Sequence, residues 1–353
     1  MKIRLFLNFK EDNRISMELY ARDIINGLKK YNKNISISTF RPKIPKLFTI
    51  LPHLWKMRLA RYLLYKIQIR KLGMVDVAHV IDPQYTHLAE SIRAKKKIIT
   101  VHDLLPILLS KKYKTNRTLI KYSLSKLKLF NHVITISNYT KRHIIKYTNA
   151  QPNKISVLYQ PASDILTSKK HNKIFIQKFA DNKKNFIIVT FSHVFYKNFE
   201  TSYKIFNQLK KKYKNIILLN FGKLPSFINN KFDRNIIELP YLNEQQHNDI
   251  FKSSDILLFP SYFEGYGRPC IEAIVAGLPV VSSNIPPLKE IFENSGIYCK
   301  PFSVKCFVSK ITQLIKNKKN LKKIKAKYKL RINQFNRKKY FRNLLNIYKK
   351  NKL

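Results

Sequence analysis

Seven glycines occur in this 353-residue chain, and four of them, Gly265, Gly267, Gly277 and Gly296, fall in or just beyond the stretch 261–291, SYFEGYGRPCIEAIVAGLPVVSSNIPPLKEI. Glycine is the residue for backbone that takes positive φ or comes close to another group, so the clustering predicts a tight, ligand-facing loop. The preceding segment 255–259, DILLF, reads as a short buried strand that ends at Pro260. Pro269 suits the first position of a helix over 270–276, Gly277 suits its end, and 279–283 reads as the next strand. Strand, glycine loop, helix and strand in a parallel sheet put the loop at the carboxyl edge, where ligands bind.

Two carboxylates frame the loop: Glu264 before the glycines and Glu272 in the first helical turn, with seven residues between them. Loop N–H groups and a helix N-terminus attract anions such as a diphosphate, whereas a carboxylate repels them. The residues alone leave two readings open. Glu264 and Glu272 accept hydrogen bonds from hydroxyls, sugar hydroxyls first, or Glu264 is a solvated loop residue and Glu272 only stabilises the helix dipole by roughly 0.3–1 kcal/mol.

The run EGYGRPCIEAIVAGLPVV resembles the signature of retaining glycosyltransferases of family four, E-G-F-G-x-P-x-x-E-A-x-A-x-G-x-P-V-V. The resemblance implies an α/β GT-B fold: two Rossmann-like, doubly wound domains facing across a cleft, with the nucleotide sugar held mainly by the second. It also implies that Glu264 touches the donor sugar, in a catalytic and donor-binding role, and that Glu272 holds the ribose hydroxyls. Gly265, Tyr266, Gly267 and Arg268 would complete the donor loop.

At this length two domains of ordinary size can each bury a core. The formal net charge of +49, from 69 Lys plus Arg against 20 Asp plus Glu, supplies a field that draws in anions: nucleic acid, acidic membrane or phosphorylated substrates. The charge is scattered along a chain rich in Lys, Asn and Ile, and no nucleic-acid-binding motif accompanies it. Cys270, Cys299 and Cys306 are an odd set without metal-ligand spacing, which fits a reducing cytoplasm. MKIRLFLNF is too short an apolar run for a signal peptide, and no run of about 18 apolar residues predicts a membrane span.

In the first half, 2–8 reads as a strand and 15–28 as an amphipathic helix. Family members carry a glycine pair in the loop between such elements, where this chain has Ser16 and Met17. Residues 47–72 form a long apolar and basic segment with the only Trp, Trp55. Interleaved basic, aromatic and aliphatic residues suit an interfacial helix. However, Lys56, Arg58, Arg61 and Lys66 do not share one helical face, which predicts a core-packed helix with snorkelling basic ends. Strands are expected over 75–81, 97–101, 132–136 and 154–158, with Ser137 or Asn138 capping a helix over 139–147. The strand 97–101 runs into VHDLLP, similar to a V-H-D-L-x-P segment of the family, which implies that His102 faces the donor sugar and that Asp103 is catalytic with it. Without the resemblance, His102 reads equally as a turn cap or a buried histidine. His87 is an acceptor-side candidate.

In the second half, strand 186–191 and helix 199–212 flank SHVFYKN. Relatives carry a glycine after this strand and an R-K-N run that clamps the diphosphate. Lys197 and Asn198 are present and are assigned to donor binding by that resemblance, but Tyr196 replaces the Arg and cannot supply a bidentate cation. Either another basic residue substitutes, with Arg268 the candidate, or donor binding is weaker. Strand 216–221 leads to Gly222, which resembles the loop that approaches the base. A strand over 239–242 and a helix over 243–251 precede the central stretch, and 304–315 carries a clean helical stripe.

The expected organisation is an acceptor-side domain over 1–165, a linker over 166–184, a nucleotide-sugar-binding domain over 185–335, and a basic C-terminal helix over 336–353. In GT-B relatives such a helix returns to the first domain. The expected activity is a retaining, metal-independent transfer of a hexose-like sugar from a nucleoside diphosphate sugar. The acceptor would be a hydroxyl of a cell-surface glycan or a polyprenyl-linked glycan, as in lipopolysaccharide, O-antigen or capsule biosynthesis. No cofactor and no specific nucleic acid are expected. The location would be the cytoplasm, with peripheral contact at the anionic inner face of the membrane. The rival expectation is a polyanion- or membrane-binding protein on a catalytically impaired GT-B scaffold.

Overall fold

The computed structural model describes residues 1–32, 34–109, 117–167, 172–179, 185–229 and 233–350. The chain divides into two compact units, one of residues 1–159 with 337–353 and the other of residues 160–336. Of the stretch expected as a linker, 168–171 and 180–184 lie outside the described residues, while a short helix, Lys173–Gln177, forms between them.

The first unit is built on strands β1 (Lys2–Phe6), β2 (Ser36–Phe40), β3 (Val75–Val80), β4 (Ala94–Val101), β5 (His132–Thr135) and β6 (Ile155–Val157). They run parallel in the order β2-β1-β3-β4-β5-β6. Side chains alternate across a strand, so β1 sends Leu5 to one face and Phe6 to the other. Leu5 joins Met17, Tyr20, Ile24, Leu28 and Ile98, and Phe6 joins Tyr65, Val80, Tyr85 and Val101. A parallel sheet covered on both faces explains the nearly continuous apolar runs of its central strands.

The helix Arg337–Lys349 belongs to this unit, where Tyr340, Phe341, Leu344, Leu345 and Tyr348 fill the face shared with the helix Ile15–Tyr31. The Phe341 ring lies directly over Gly27, leaving no room for a Cβ there. The Tyr348 hydroxyl is 2.7 Å from His79 Nδ1, whose Nε2 is 2.8 Å from Thr100 Oγ1, and Arg337 donates to Asp23 at 2.5 Å. Burial drives the His79 pKa down to about 3, so the ring is neutral.

The second unit repeats the plan with β7 (Phe186–Phe191), β8 (Ile216–Phe221), β9 (Ile236–Leu239), β10 (Ile256–Phe259), β11 (Val280–Ser283) and β12 (Ile297–Cys299), parallel in the order β12-β11-β10-β7-β8-β9. β9 lies three residues earlier than the sequence suggests, because the apolar pair Ile236 and Ile237 pairs with β8 in register with Leu218 and Leu219. The edge strand β12 is too short to carry a pattern of its own.

Two expectations are corrected. The odd cysteine set does not leave three thiols: Cys299 and Cys306 form a disulfide between β12 and the helix Val304–Lys316, and Cys270 is a buried free thiol. Residues 53–70 are helical throughout, but only one face is core-packed. Met57, Ala60, Tyr65 and Ile69 are buried, while Leu54, Trp55, Leu63 and Ile67 are exposed. Among the described residues, no helix is long and apolar enough to cross a membrane.

Candidate active site

In the second unit, β7 and β10 are neighbours, so the loops leaving their carboxyl ends are brought side by side. The loop after β7 turns through Phe195–Lys197 into Asn198, which sits in the left-handed region at φ 59° and opens the helix Phe199–Lys210. Asn198 tolerates that backbone better than most residues, and its amide donates to Pro260 O at 3.1 Å while Thr201 Oγ1 donates to its Oδ1 at 3.0 Å. The Tyr262 N–H donates to Tyr196 O at 3.1 Å. These bonds tie the two loops together and fix where Lys197 points.

Lys197 Nζ lies 2.7 Å from Glu264 Oε1, with the two side chains only 5% and 7% exposed. The ammonium is 4.5 Å from the centre of the Phe259 ring and 5.7 Å from that of Tyr196. Tyr196, which stands where relatives carry Arg, therefore helps to enclose the lysine instead of adding a second cation. A buried ammonium needs such a partner, because an unpaired charge here would cost several kcal/mol.

The glycine loop follows. Gly267 sits at φ 94°, and a Cβ there would meet Leu288 Cδ2 at 2.6 Å, so both backbone and space require glycine. The helix Arg268–Ala276 starts immediately after it, with Pro269 in its first turn and Gly277 left-handed at its end. Tyr266 is buried and donates to Gln160 O at 2.9 Å, which anchors the loop. The hydroxyl of Ser261, buried at the head of the loop, has no hydrogen-bond partner among the described residues. Burial pushes the Cys270 thiol, beneath the loop, well above its ordinary range.

Glu272 is also paired. Arg268 Nε donates to its Oε1 at 3.0 Å, and His247 Nε2 lies 3.7 Å from its Oε2. His247 comes from the helix Glu244–Ser253, whose start is fixed by a reciprocal Asn243 and Gln246 capping box. Its ring stacks on Phe251 at 4.4 Å and lies 5.1 Å from Phe221 at the end of β8. Burial lowers its pKa, against the opposing pull of Glu272. Gly222 follows β8 at φ 102°, its backbone packed against His193. Sequence reasoning missed His247, although its i, i+4 spacing with Phe251 in a helix entering the glycine stretch was the available signal.

In the first unit, His102 and Asp103 leave the carboxyl end of β4. His102 is 8% exposed, packs edge-on against Tyr20 at 4.6 Å and has Nε2 3.0 Å from Ile81 O, which places a proton on that nitrogen. Asp103 accepts from the Leu105 N–H at 2.9 Å. Beside them is a network that the sequence did not reveal. Asp12, whose side chain is fully buried, accepts from Arg61 and from the Tyr85 hydroxyl. Asp82, also fully buried, accepts from Asn8 Nδ2 at 2.7 Å and Gln84 N at 2.8 Å, with Arg14 Nη1 at 3.5 Å. Burial works against the Asp82 charge, but Arg14, Asn8 and the Gln84 N–H outweigh it and hold the carboxyl below its ordinary range. His87 is wholly buried, stacked on Tyr62 and bonded to Arg61 O at 2.9 Å, and burial takes its pKa down to about 4. It is a packing histidine. Among the described residues, no group of three or more His, Cys, Asp and Glu is placed to hold a metal ion.

Comparison with known proteins agrees with this arrangement. Residues 17–162 match the family described as Glycosyltransferase Family 4, and residues 170–331 the family described as Glycosyl transferases group 1. Over 232 residues the chain is 27% identical to the O-antigen chain mannosyltransferase RfbU of Salmonella typhimurium, an alignment spanning 62% of this chain and 61% of that protein. Sucrose-phosphate synthase from Thermosynechococcus elongatus superposes with a TM-score of 0.77 at 14% identity, covering 99% of this chain and 98% of the other. HepE of Anabaena, solved with UDP and glucose, superposes with a TM-score of 0.73 at 15% identity, covering 98% of each chain. Two doubly wound parallel sheets, paired carboxylates around a glycine loop, and family matches over both halves lead to one conclusion: the chain has the GT-B fold and belongs to the group 1 glycosyltransferases.

Proposed function

We propose that the protein is a retaining, metal-independent glycosyltransferase of surface-polysaccharide synthesis. It would move a hexose-like sugar from a nucleoside diphosphate sugar to a hydroxyl of a cell-surface or lipid-linked glycan. The observation that carries this is the pairing of both loop carboxylates with cations, Glu264 with Lys197 and Glu272 with Arg268. The loop thereby combines hydroxyl acceptors with positive charge in one place, which is what a sugar diphosphate requires. RfbU is named as an O-antigen chain mannosyltransferase, and HepE was solved with UDP and glucose, which supports the donor and product classes.

In this reading the diphosphate takes over Lys197 and Arg268, the loop N–H groups and the Ser261 hydroxyl. Glu264 and Glu272 turn their released oxygens to the sugar and ribose hydroxyls. Negative charge grows on the diphosphate as the glycosidic bond breaks, so these fixed cations stabilise the transition state more than the bound donor. His247 holds the far oxygen of Glu272. Retention and independence from metal rest on the resemblance of the two-glutamate signature. The enzyme would work in the cytoplasm, in peripheral contact with an anionic membrane face.

The test is transfer of labelled sugar to a lipid-linked acceptor in the presence of a chelator, with the anomeric proton of the first-formed product read by NMR. A product with the donor's anomeric configuration, formed at an undiminished rate, is expected. An inverted product, or a rate abolished by the chelator and restored by a divalent cation, contradicts the mechanism.

A further inference from the structure

The bridge between Cys299 and Cys306 closes a short turn, Lys300-Pro301-Phe302-Ser303, between β12 and the helix Val304–Lys316. β12 is three residues long and the last strand of its sheet, held by ladder hydrogen bonds to β11 alone. Within the turn Phe302 takes φ 68°, a left-handed backbone that side chains other than those of Asn and Asp rarely adopt. Its ring is 60% exposed, yet it stacks on the Tyr262 ring at 5.4 Å with 28° between the planes. The bridge fixes both ends of the turn, and with them the direction of that ring.

Tyr262 belongs to the loop that carries Glu264. Its N–H donates to Tyr196 O at 3.1 Å, the centre of the Tyr196 ring lies 5.7 Å from Lys197 Nζ, and Lys197 pairs with Glu264 at 2.7 Å. A run of direct contacts therefore leads from the disulfide, through Phe302 and Tyr262, to the ion pair of the candidate site. All of its members lie in the second unit.

In the cytoplasm, where the protein is proposed to work, disulfides are seldom permanent and most often serve catalysis or redox sensing. Cys299 is buried and Cys306 half-buried, so an incoming thiolate reaches Cys306. Lys300 and Lys305 adjoin the two cysteines in sequence, and neighbouring cations favour thiolates.

We infer that Cys299 and Cys306 form a thiol–disulfide exchange site for a dithiol reductant, and that opening the bridge releases Phe302 from Tyr262 and loosens the glycine loop. One thiolate of the dithiol attacks Cys306 Sγ, the bond between the two cysteines breaks, and Cys299 leaves as a thiolate. The second thiol then attacks the dithiol's own sulfur in the mixed disulfide and expels Cys306. The dithiol becomes a disulfide, and its two electrons and two protons end on the two cysteines. The consequence for nucleotide sugars rests on the function proposed above, whereas the link from the bridge to Tyr262 stands without it.

The experiment equilibrates the full-length protein in oxidised glutathione or in dithiothreitol. Alkylation after unfolding counts the thiols, hydrogen exchange follows peptides across 257–268, and calorimetry reads the affinity for UDP-, GDP- and ADP-sugars. One alkylated cysteine is expected in the oxidised protein and three in the reduced one. Exchange at the Tyr262 N–H should be roughly tenfold faster after reduction, with β7 and β8 unchanged. Phe302→Ala keeps both cysteines and should show the fast exchange in either buffer. Nucleotide-sugar affinity should fall roughly threefold both in the reduced protein and in this variant. Three alkylated cysteines in both buffers, or Tyr262 exchange indifferent to reduction, would overturn the inference. Exchange raised evenly across the second unit would make the bridge a general staple and overturn it as well. Absence of nucleotide-sugar binding in both states, with Tyr262 still responding, would contradict the donor-site reading and uphold the link.

Discussion

Lys197 and Glu264, 67 positions apart, form a buried ion pair at 2.7 Å because β7 and β10 are adjacent parallel strands whose exit loops meet. Removing one member leaves the other charged in an aromatic enclosure. Lys197→Met or Glu264→Gln alone should therefore lower unfolding free energy by about 3–5 kcal/mol and abolish transfer. The double variant should recover most of the stability and none of the activity. Denaturant unfolding with a parallel transfer assay checks this, and a double variant as unstable as the singles would mean that the pair is not a closed unit.

At Glu272 the cation, Arg268, has a side chain 33% exposed, so the expected effect is on affinity. Arg268→Ala should weaken nucleotide-sugar binding by roughly 10- to 100-fold, as for loss of a charge-assisted hydrogen bond. It should leave the unfolding midpoint within a few degrees of the parent. Arg268→Lys should restore part of the affinity, since a lysine supplies charge without the planar fork. Calorimetric titration reads both, and an unchanged affinity in the Ala variant would exclude Arg268 from the donor site.

The pH dependence of stability follows from buried histidines. His79 and His87 have folded pKa values of about 3 and about 4, below an unfolded value near 6.5. The unfolded chain therefore binds protons that the folded chain refuses, and the stability these groups contribute is present above about pH 6.5 and lost as pH falls towards their folded values. Between pH 6 and 5 each should contribute a slope approaching 1.4 kcal/mol per pH unit. His79→Asn should reduce the slope by about one proton's share. An unchanged slope in urea melts across that window would contradict the assignment of His79 as a neutral link between Tyr348 and Thr100.

The C-terminal helix fills the first unit's core, with Phe341 seated over Gly27. Phe341→Ala should cost about 3–5 kcal/mol, in the range of large buried aromatic truncations. Ending the chain after Asn336 should expose the same apolar face and make the protein aggregate. A soluble, fully stable truncated protein would show that the helix is dispensable to the unit.

Much of this was legible from local pattern. The spans of β7, β8, β10 and β11 and the helix after Gly267 follow from apolar runs and from glycine and proline positions, while the cap left open between Ser137 and Asn138 falls to Ser137. Glu264 and Glu272 frame the glycine loop by their spacing, but their role at hydroxyls is read from the family resemblance and not from spacing. What was not legible depends on which strands lie side by side. The Lys197 contact needs β7 beside β10, and the Asp12, Arg61 and Tyr85 cluster joins residues 49 and 73 positions apart. His247 reaches Glu272 only because the helix Glu244–Ser253 is capped in one orientation. Residues 53–70 show the limit most plainly. Periodicity identifies a helix whose basic residues do not share one face, but which of its faces the core takes is a tertiary outcome.

The central claim is that the loop at Glu264 and Glu272 binds a nucleotide sugar. The most direct measurement is calorimetry of the purified protein against UDP-, GDP- and ADP-sugars, repeated with Glu272→Ala and at raised salt. The account predicts saturable binding of sugars on one base, lost in the variant and retained in salt because the Lys197 and Glu264 pair is buried and screened little. Equal binding of every nucleotide, erased by salt and indifferent to Glu272, would contradict it and assign the affinity to the +49 charge of the chain.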